Sequence, residues 1–312
     1  MYLKPHQNTQ LYGMNRSFKE IVDLFNKGKM PNKILVSGKK GIGKSTLAYH
    51  VVNYILSKDE EFHYNQQEFI INSNNKSYRL IQNNTHPNFY LIDLFEEKKS
   101  IDIGQIREMI SYTNKSSFNK LPRFILLDNI ENLNKNSVNA LLKIIEDPND
   151  NIFFMLIHNN EKTILPTLNS RCIKFKVNFS HEKSLEITKK IFGEDIFKSV
   201  HTELSSFYTS PGEFINLINF ANEKKIDLKK YNLKKFLTLL IENGYYKKNK
   251  VIKVLLLNFI ELFFFNKYKF SKTKSSLLIL YQEFVSKINN TEKFNLDEES
   301  LFLEFKSKLL ND

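Results

Sequence analysis

The octapeptide Gly-Lys-Lys-Gly-Ile-Gly-Lys-Ser at positions 38–45 restricts the fold of this chain more than any other feature. It matches the pattern GxxxxGK[ST] and lies between a short apolar run, Ile34–Ser37, and a segment with helical spacing, Lys44–Leu56. In that context glycines let backbone N–H groups surround phosphate oxygens, and the start of the helix adds partial positive charge. An ordinary glycine turn would not need this strand–loop–helix context. The motif therefore predicts a phosphate-binding loop, in which Lys44 reaches the β- and γ-phosphates of a nucleotide and Ser45 binds Mg²⁺.

Three further apolar runs follow the loop, and none shows the alternation of a half-exposed strand. They are Phe89–Leu94, Phe124–Leu127 and Phe153–Ile157. Runs of this kind are typical of a parallel sheet that is covered on both faces. Helical segments separate them: Asp102–Tyr112, which begins with the spacing of a capping box, and Asn134–Glu146, which Pro148 should end. The alternation predicts an α/β P-loop NTPase domain with a parallel sheet over residues 1–178.

The remaining segments divide into a polar insertion and a helical region. Residues 60–85 are polar and rich in asparagine, and we predict that they form a long loop or insertion. After Phe179 no strand pattern is convincing, and helical patterns follow one another. A polar, lysine-rich seam near residues 226–231 predicts a linker, so the chain should carry two helical domains, 179–228 and 229–312.

The cysteine content and the hydropathy of the chain exclude several classes of protein. Cys172 is the only cysteine among 312 residues, which rules out an internal disulfide and a CxxC zinc module. No run of about 18 apolar residues predicts a membrane helix, and the N-terminus lacks the apolar stretch of a signal peptide. We therefore expect a cytoplasmic protein that binds no zinc and no membrane.

The net charge of +12 has two interpretations. A surface that binds nucleic acid is one. The other is a bias toward AT-rich codons, because the chain is crowded with Lys, Asn, Ile and Phe. Net charge without a located patch does not separate the two.

A second motif supports nucleotide binding but not rapid hydrolysis. The apolar run Phe124–Leu127 ends at Asp128, which suits the Mg²⁺-positioning acid of Walker B. Hydrolytic P-loop machines of the AAA+ class usually follow this residue with a glutamate that polarises water, and here Asn129 follows it. An asparagine can orient water but cannot take its proton at neutral pH. If the strand continues, Glu131 should point elsewhere, so the sequence predicts that nucleotide binds and turns over poorly.

A third motif, Ser-Arg-Cys at 170–172, makes the resemblance to a family specific. It ends the stretch Leu165–Cys172, which follows the last apolar strand. With His86–Asn88, Ser100–Arg107, Asn139–Pro148 and Leu11–Gly13, it resembles the δ′ subunits of the bacterial DNA polymerase III clamp loader, which are AAA+ proteins. The resemblance covers about residues 11–178, and beyond them only the helical character and the Ser-Pro-Gly turn at 210–212 match.

The resemblance implies an architecture, a set of partners and a set of site residues. The family has an AAA+ module, a small helical lid and a helical collar, here 1–178, 179–228 and 229–312. Its members join a ring with other clamp-loader subunits (τ/γ and δ), and the ring uses ATP to place a sliding clamp on primed DNA. Arg171 would be an arginine finger, acting in trans on ATP held by a neighbouring subunit, because guanidinium is always charged and can fork onto phosphate. The residues expected to bind ATP and Mg²⁺ are Gly38, Gly41, Gly43, Lys44, Ser45, Thr46, Asp128 and the sensor-1 residue Asn159, with Ser45 and Asp128 on the metal.

Three departures from the family pattern bear on the function. The family commonly carries a four-cysteine zinc module, whose place residues 60–85 would occupy, and no sensor-2 arginine is found near 210–214. With Asn129, these absences favour a subunit that supplies a finger. A catalytic τ/γ-type ATPase would carry the missing groups, and a stand-alone P-loop enzyme would need neither Ser-Arg-Cys nor the helical third. A DNA-binding protein with a vestigial P-loop should show a base-reading module, which we do not find.

Overall fold

The chain folds into two compact units, Met1–Lys183 (unit 1) and Ser184–Asp312 (unit 2). The structure is a computed structural model that describes residues 4–95, 98–115, 119–146, 151–206, 209–270, 274–294 and 296–310. Within those residues no helix is both long enough and apolar enough to cross a membrane. The boundaries predicted at 178 and 228, and the division into lid and collar, stay predictions.

Unit 1 alternates strands and helices, as the apolar runs predict. Its strands are β1 (Lys33–Ser37), β2 (Phe89–Ile92), β3 (Arg123–Leu127), β4 (Ile152–His158) and β5 (Ile173–Lys176). Its helices are α1 (Asn15–Asn26), α2 (Lys44–Leu56), α3 (Lys76–Gln82), α4 (Ile103–Thr113), α5 (Lys135–Glu146) and α6 (Pro166–Ser170), with 3₁₀ turns at Pro5–Gln7 and Ile130–Asn132. The capping box of α4 is present, since Asp102 accepts the Gln105 N–H and the Gln105 side chain accepts the Asp102 N–H.

The five strands form one parallel sheet in the order β2-β3-β4-β1-β5. Alternate residues of each central strand pack on opposite faces, so Ile34 and Leu35 belong to different hydrophobic clusters. Helices α1 and α2 cover one face, and α4 and α5 cover the other. The predicted fold class is confirmed, and the parallel arrangement brings the carboxyl ends of β1 to β4 to one edge of the sheet.

The prediction of a long loop or insertion at residues 60–85 was incomplete. The segment contains α3 and an antiparallel bridge between Asn65 and Ile70. Helix α3 begins at a buried cap, where Asn75 accepts the Tyr78 N–H and is itself bonded to Asn53. Polar contacts of this kind leave no apolar periodicity in the sequence. The strand β5 and the helix α1 were also not predicted.

Unit 2 is helical, as predicted. Its helices are α7 (His181–Phe192), which begins in unit 1, α8 (Thr202–Ser205), α9 (Pro211–Lys224), α10 (Leu233–Glu242), α11 (Tyr245–Lys248), α12 (Lys250–Phe270), α13 (Lys274–Phe294) and α14 (Glu298–Phe305). Short 3₁₀ helices occur at Glu194–Ser199 and Leu228–Lys230, and a short π-helix occurs at Lys306–Leu310. The Ser-Pro-Gly segment at 210–212 is the start of α9, where Ser210 and Glu213 form a capping box.

Candidate nucleotide-binding site

The glycine-rich loop leaves β1 after Ser37 and enters α2 at Lys44. Gly41 and Gly43 have φ values of 78° and 94°, a left-handed conformation that residues with a Cβ rarely adopt. Gly38 is required for another reason, because a Cβ at this position would lie 2.1 Å from the carbonyl oxygen of Val177. The loop therefore wraps around the N-terminus of a 13-residue helix, where free N–H groups attract anions.

Lys44 is almost completely buried at the start of α2, with 3% of its surface exposed. Its Nζ donates a hydrogen bond to the Lys39 carbonyl at 2.8 Å, within the loop itself. Burial lowers the pKa of Lys44 to about 8, although the negative charges of Asp128 and Glu131 oppose this effect. A buried ammonium with a carbonyl as partner is a strong site for phosphate oxygens, because phosphate would restore the charge compensation lost on burial.

Ser45 and Asp128 join the loop to the end of β3. The Ser45 hydroxyl donates to Oδ2 of Asp128, and burial, assisted by the nearby charge of Asp93, raises the pKa of the Asp128 carboxyl. A hydroxyl and a carboxylate in contact are ligands that suit Mg²⁺. The two residues therefore fit the predicted metal site. Thr46, the residue after Ser45, lies in the first turn of α2 and is 9% exposed.

A chain of side-chain hydrogen bonds runs along the same edge of the sheet. Nδ2 of Asn129 donates to Oδ1 of Asp93 at 2.6 Å, and Nδ2 of Asn159 donates to Oδ1 of Asn129 at 2.8 Å. The three residues follow β2, β3 and β4. The structure thus brings Asn159 beside the Walker B segment. Asp93 was not predicted, because it lies inside the run Phe89–Leu94; the available signal was an acidic residue that interrupts an apolar run.

The condition under which Glu131 was expected to point elsewhere, a strand that continues past Asp128, is not met. The strand stops at Leu127, Asn129 takes a left-handed conformation with φ of 56°, and the 3₁₀ turn Ile130–Asn132 follows. This turn directs Glu131 inward, where Oε2 accepts the backbone N–H of Asn159 at 3.4 Å. The side chain is buried, and Oε1 has no hydrogen-bond partner among the residues that the structure describes.

Arg171 lies at the end of α6, outside this network. Its Nη1 donates to the Thr167 carbonyl at 3.0 Å, and its Nη2 donates to Oε1 of Glu146 at 2.6 Å. About a third of its side chain is exposed. The next residue, Cys172, is buried, and burial raises the pKa of its thiol to about 11. The guanidinium is therefore accessible and is bonded to its own helix and to α5, while the thiol is a core group.

Three other observations concern the edges of this region. His158 is a hydrogen-bonded histidine at the end of a strand, whose Nε2 donates to the Lys162 carbonyl at 2.9 Å. Asp147 and Pro148, which the resemblance and the predicted end of α5 include, lie outside the described residues. No group of three or more potential metal ligands of the His, Cys, Asp and Glu types occurs in the described part of the chain, and the absence of zinc stays a prediction.

A glycine-rich GxxxxGK[ST] loop at the carboxyl edge of a parallel sheet in this strand order, with an acid at the end of β3, is the fold of P-loop NTPases of the AAA+ class. The family described as "DNA polymerase III, delta subunit" matches residues 13–181, more than half of the 312 residues. The chain belongs to this family.

Several individual proteins are similar to this chain. DNA polymerase III subunit delta′ of Buchnera aphidicola subsp. Acyrthosiphon pisum is 28% identical over 295 residues, which cover 88% of this chain and 85% of the relative. The delta′ subunit of Pseudomonas aeruginosa is 29% identical over 140 residues, 45% of this chain and 41% of that protein. Among solved structures, a DNA polymerase III gamma subunit-related protein from Thermotoga maritima has a TM-score of 0.48 at 14% identity, covering 94% of this chain and 97% of its own.

Proposed function

We propose that this chain is a δ′-type clamp-loader subunit that binds ATP with Mg²⁺, hydrolyses it slowly at most, and supplies Arg171 to ATP held by a neighbouring subunit. Its partners would be the other subunits of the ring, of the τ/γ and δ types. Through that ring it would act on a sliding clamp and primed DNA. Family membership supports the assignment to the clamp loader. The geometry of unit 1 supports two separate roles, binding of ATP in its own site and action of Arg171 on ATP held by a neighbour.

The observation that carries nucleotide binding is the hydrogen bond between Ser45 and Asp128, because it unites the loop and the Walker B acid in one site. Backbone N–H groups at the start of α2 would hold the phosphates, and Lys44 would exchange the Lys39 carbonyl for phosphate oxygens. Ser45 and Asp128 would hold Mg²⁺, which supplies charge neutralisation at the phosphates when bound.

Asn129 supports slow turnover in this site. Its side chain cannot accept a proton from water at neutral pH, and both ends of its amide are already engaged, by Asp93 and by Asn159. An amide held at both ends is not free to orient a water molecule. The site would therefore retain ATP for long periods.

Arg171 supports the role in trans. Its guanidinium is separated from the chain's own Walker B network and is exposed at the end of α6, held by Glu146 and Thr167. An arginine placed in this way keeps its charge and several N–H donors available to a phosphate on another subunit. This is the geometry that an arginine finger needs.

Isothermal titration calorimetry tests nucleotide binding. The wild-type chain should bind ATP in the presence of Mg²⁺, and Lys44→Ala should lower the affinity by at least about 100-fold, because it removes a buried, charge-assisted contact. Lys189→Ala, an exposed lysine paired with Glu194, is the control and should bind as the wild type does. Equal affinity in the Lys44→Ala variant would refute the proposed site.

ATP hydrolysis by the reconstituted ring tests the finger. Arg171→Ala should leave the assembly intact and lower the rate at the adjacent site, since arginine fingers contribute roughly 10³–10⁵ in rate in other NTPases. The loss in total rate would be smaller if several sites fire. Arg171→Lys should rescue little because it lacks the planar fork. Arg16→Ala, an exposed arginine paired with Glu20, is the control. An unchanged rate and unchanged clamp loading with Arg171→Ala would remove the role in trans.

A further inference from the structure

Glu131 holds a buried carboxylate oxygen that the fold leaves unsatisfied. The residue is 8% exposed, and its Oε1 has no hydrogen-bond partner among the residues that the structure describes. Leaving a buried charged acceptor unpaired is costly, so such a group calls for a specific partner that the chain does not supply. Water, or a ligand that holds water, is the chemistry that fits a carboxylate oxygen in a polar site.

The other oxygen of the same carboxylate is anchored. Oε2 accepts the backbone N–H of Asn159, and the turn Ile130–Asn132 that carries the side chain is fixed by the buried Ile130. One oxygen is therefore anchored, while the other is enclosed and has an unused capacity to accept a hydrogen bond. A general base needs a carboxylate with a fixed orientation and one oxygen that can accept a proton.

The Glu131 carboxylate also lies near the groups that would surround a bound nucleotide. Asn159, to which it is bonded, is linked through its side chain to Asn129, where the acid of a hydrolytic site would be expected. Its negative charge acts on Lys44, the residue placed to bind the terminal phosphates. Glu131 is thus close to Asn129, which occupies the position of the usual glutamate, and to Lys44.

We propose that Glu131 replaces the missing acid, and that its Oε1 orients a water molecule and accepts its proton as that water attacks the terminal phosphate of ATP bound to this chain. The water oxygen forms a bond to the γ-phosphorus. The bond from that phosphorus to the bridging oxygen breaks, its electron pair remains with ADP, and the proton passes from Oε1 to the released phosphate. This inference rests on the proposed nucleotide site, and it assigns to this chain a slow hydrolysis of its own.

A single-turnover experiment on the full chain tests the proposal. With protein in excess over ATP and Mg²⁺, the wild type should slowly convert bound ATP to ADP. Glu131→Gln should slow the conversion at least tenfold, since general bases contribute typically 10²–10⁴. Calorimetry supplies the second readout, because the same variant should bind ATP within about threefold of the wild type. Glu20→Gln, an exposed glutamate paired with Arg16, should change neither quantity.

Glu131→Asp keeps the charge but withdraws the carboxylate by one methylene, and it provides a second variant if the glutamine chain folds poorly. It too should lose rate and keep affinity. Wild-type protein that binds ATP but leaves it intact, or Glu131 variants that convert it at the wild-type rate, would overturn the proposal and spare the nucleotide site. Failure of the wild type to bind ATP would overturn both.

Discussion

The two units differ in what they bury. Unit 1 places charged, amide and imidazole groups inside, and those of its described residues that are buried are Lys44, His50, Asn53, Asn75, His86, Asn88, Arg123, Glu131 and Asn159. In the described part of unit 2 the buried polar residues are all hydroxyl-bearing: Ser184, Thr188, Thr209, Ser210 and Thr291. Burying ionic or amide groups is costly unless each is bonded or serves a ligand. Three of the unit 1 residues, Lys44, Glu131 and Asn159, lie at the candidate nucleotide-binding site. Unit 1 therefore carries a burial cost at its site that the described part of unit 2 does not carry.

The largest expected effect lies in the core of unit 2. Phe236 is fully buried and meets Phe259 edge to face with ring centroids 5.5 Å apart. Phe236→Ala should lower the free energy of unfolding by about 3–5 kcal/mol, through lost burial and a cavity. Urea unfolding followed by circular dichroism measures the loss, and Phe270→Ala, an 86% exposed phenylalanine, should change little. ATP affinity at permissive temperature should be unchanged, and a parallel loss of affinity would break the contrast between the units.

The second effect concerns the amide–carboxylate pair of unit 1. Asn129→Glu would place a second carboxylate against Asp93, in a left-handed backbone that glutamate adopts less readily than asparagine. We expect a loss of about 1.5–3 kcal/mol in the free energy of unfolding, the range for a hydrogen bond to a charged group. Adding Asp93→Asn should recover most of the lost stability, because the amide introduced at position 93 can donate to the carboxylate introduced at position 129. Full stability in the single variant would show that Asp93 does not constrain position 129.

Acid should weaken unit 1 through its buried histidines. Burial lowers the pKa of His50 to about 4, so the ring is neutral at neutral pH. Its Nε2–H then donates to the Asn8 carbonyl, and Nδ1 accepts from the Tyr64 hydroxyl. Below pH 6.5 the unfolded chain takes up a proton that the folded chain refuses, so stability is full above that pH and falls between 6.5 and about 4. At pH 5.5 the loss should be about 1.4 kcal/mol.

Asp128 has the opposite effect on the pH dependence of stability, because its raised pKa makes the folded form take up a proton first as the pH falls. Comparing the pH dependence of the wild type with that of a His50 variant therefore isolates the contribution of this histidine. His50→Gln should therefore show a free energy of unfolding that falls by about 1.4 kcal/mol less between pH 7.5 and 5.5 than that of the wild type. His63→Gln, an exposed histidine, is the control. Equal slopes in wild type and His50→Gln would contradict the assignment of a neutral, buried ring.

The smallest effect is expected at the surface of unit 1. Glu146 and Arg171 form an ion pair with side chains 52% and 36% exposed, and such pairs contribute about 0–1 kcal/mol. Glu146→Gln should lower the free energy of unfolding by less than about 0.5 kcal/mol in urea titrations, with Lys189→Ala as an equally exposed reference. A loss well above about 1 kcal/mol would mean that Arg171 is a structural residue, and the finger role would lose its main support.

Site residues that belong to a motif of adjacent positions could be predicted from the sequence, and those placed by contacts between distant positions could not. The loop at 38–45 and Asp128 were found because glycine spacing and a strand ending in an acid are visible in adjacent residues. Asp93 was hidden because the predicted strand ran past it to Leu94, while β2 ends at Ile92. The direction of Glu131 could not be predicted because it depends on the left-handed turn at Asn129, whose side chain is bonded to Asp93, 36 positions away. Contacts between distant strands leave no periodicity to find.

The buried thiol beside Arg171 makes the natural chain a convenient starting point for site-specific labelling. Cys172 is the single cysteine of the sequence, and its raised pKa keeps it as the unreactive thiol at neutral pH. A cysteine introduced at an exposed position would then be the preferred target for a maleimide dye, without a cysteine-free background. In the unlabelled chain, a gain in the reactivity of Cys172 would report that the segment carrying Arg171 has moved away from the core.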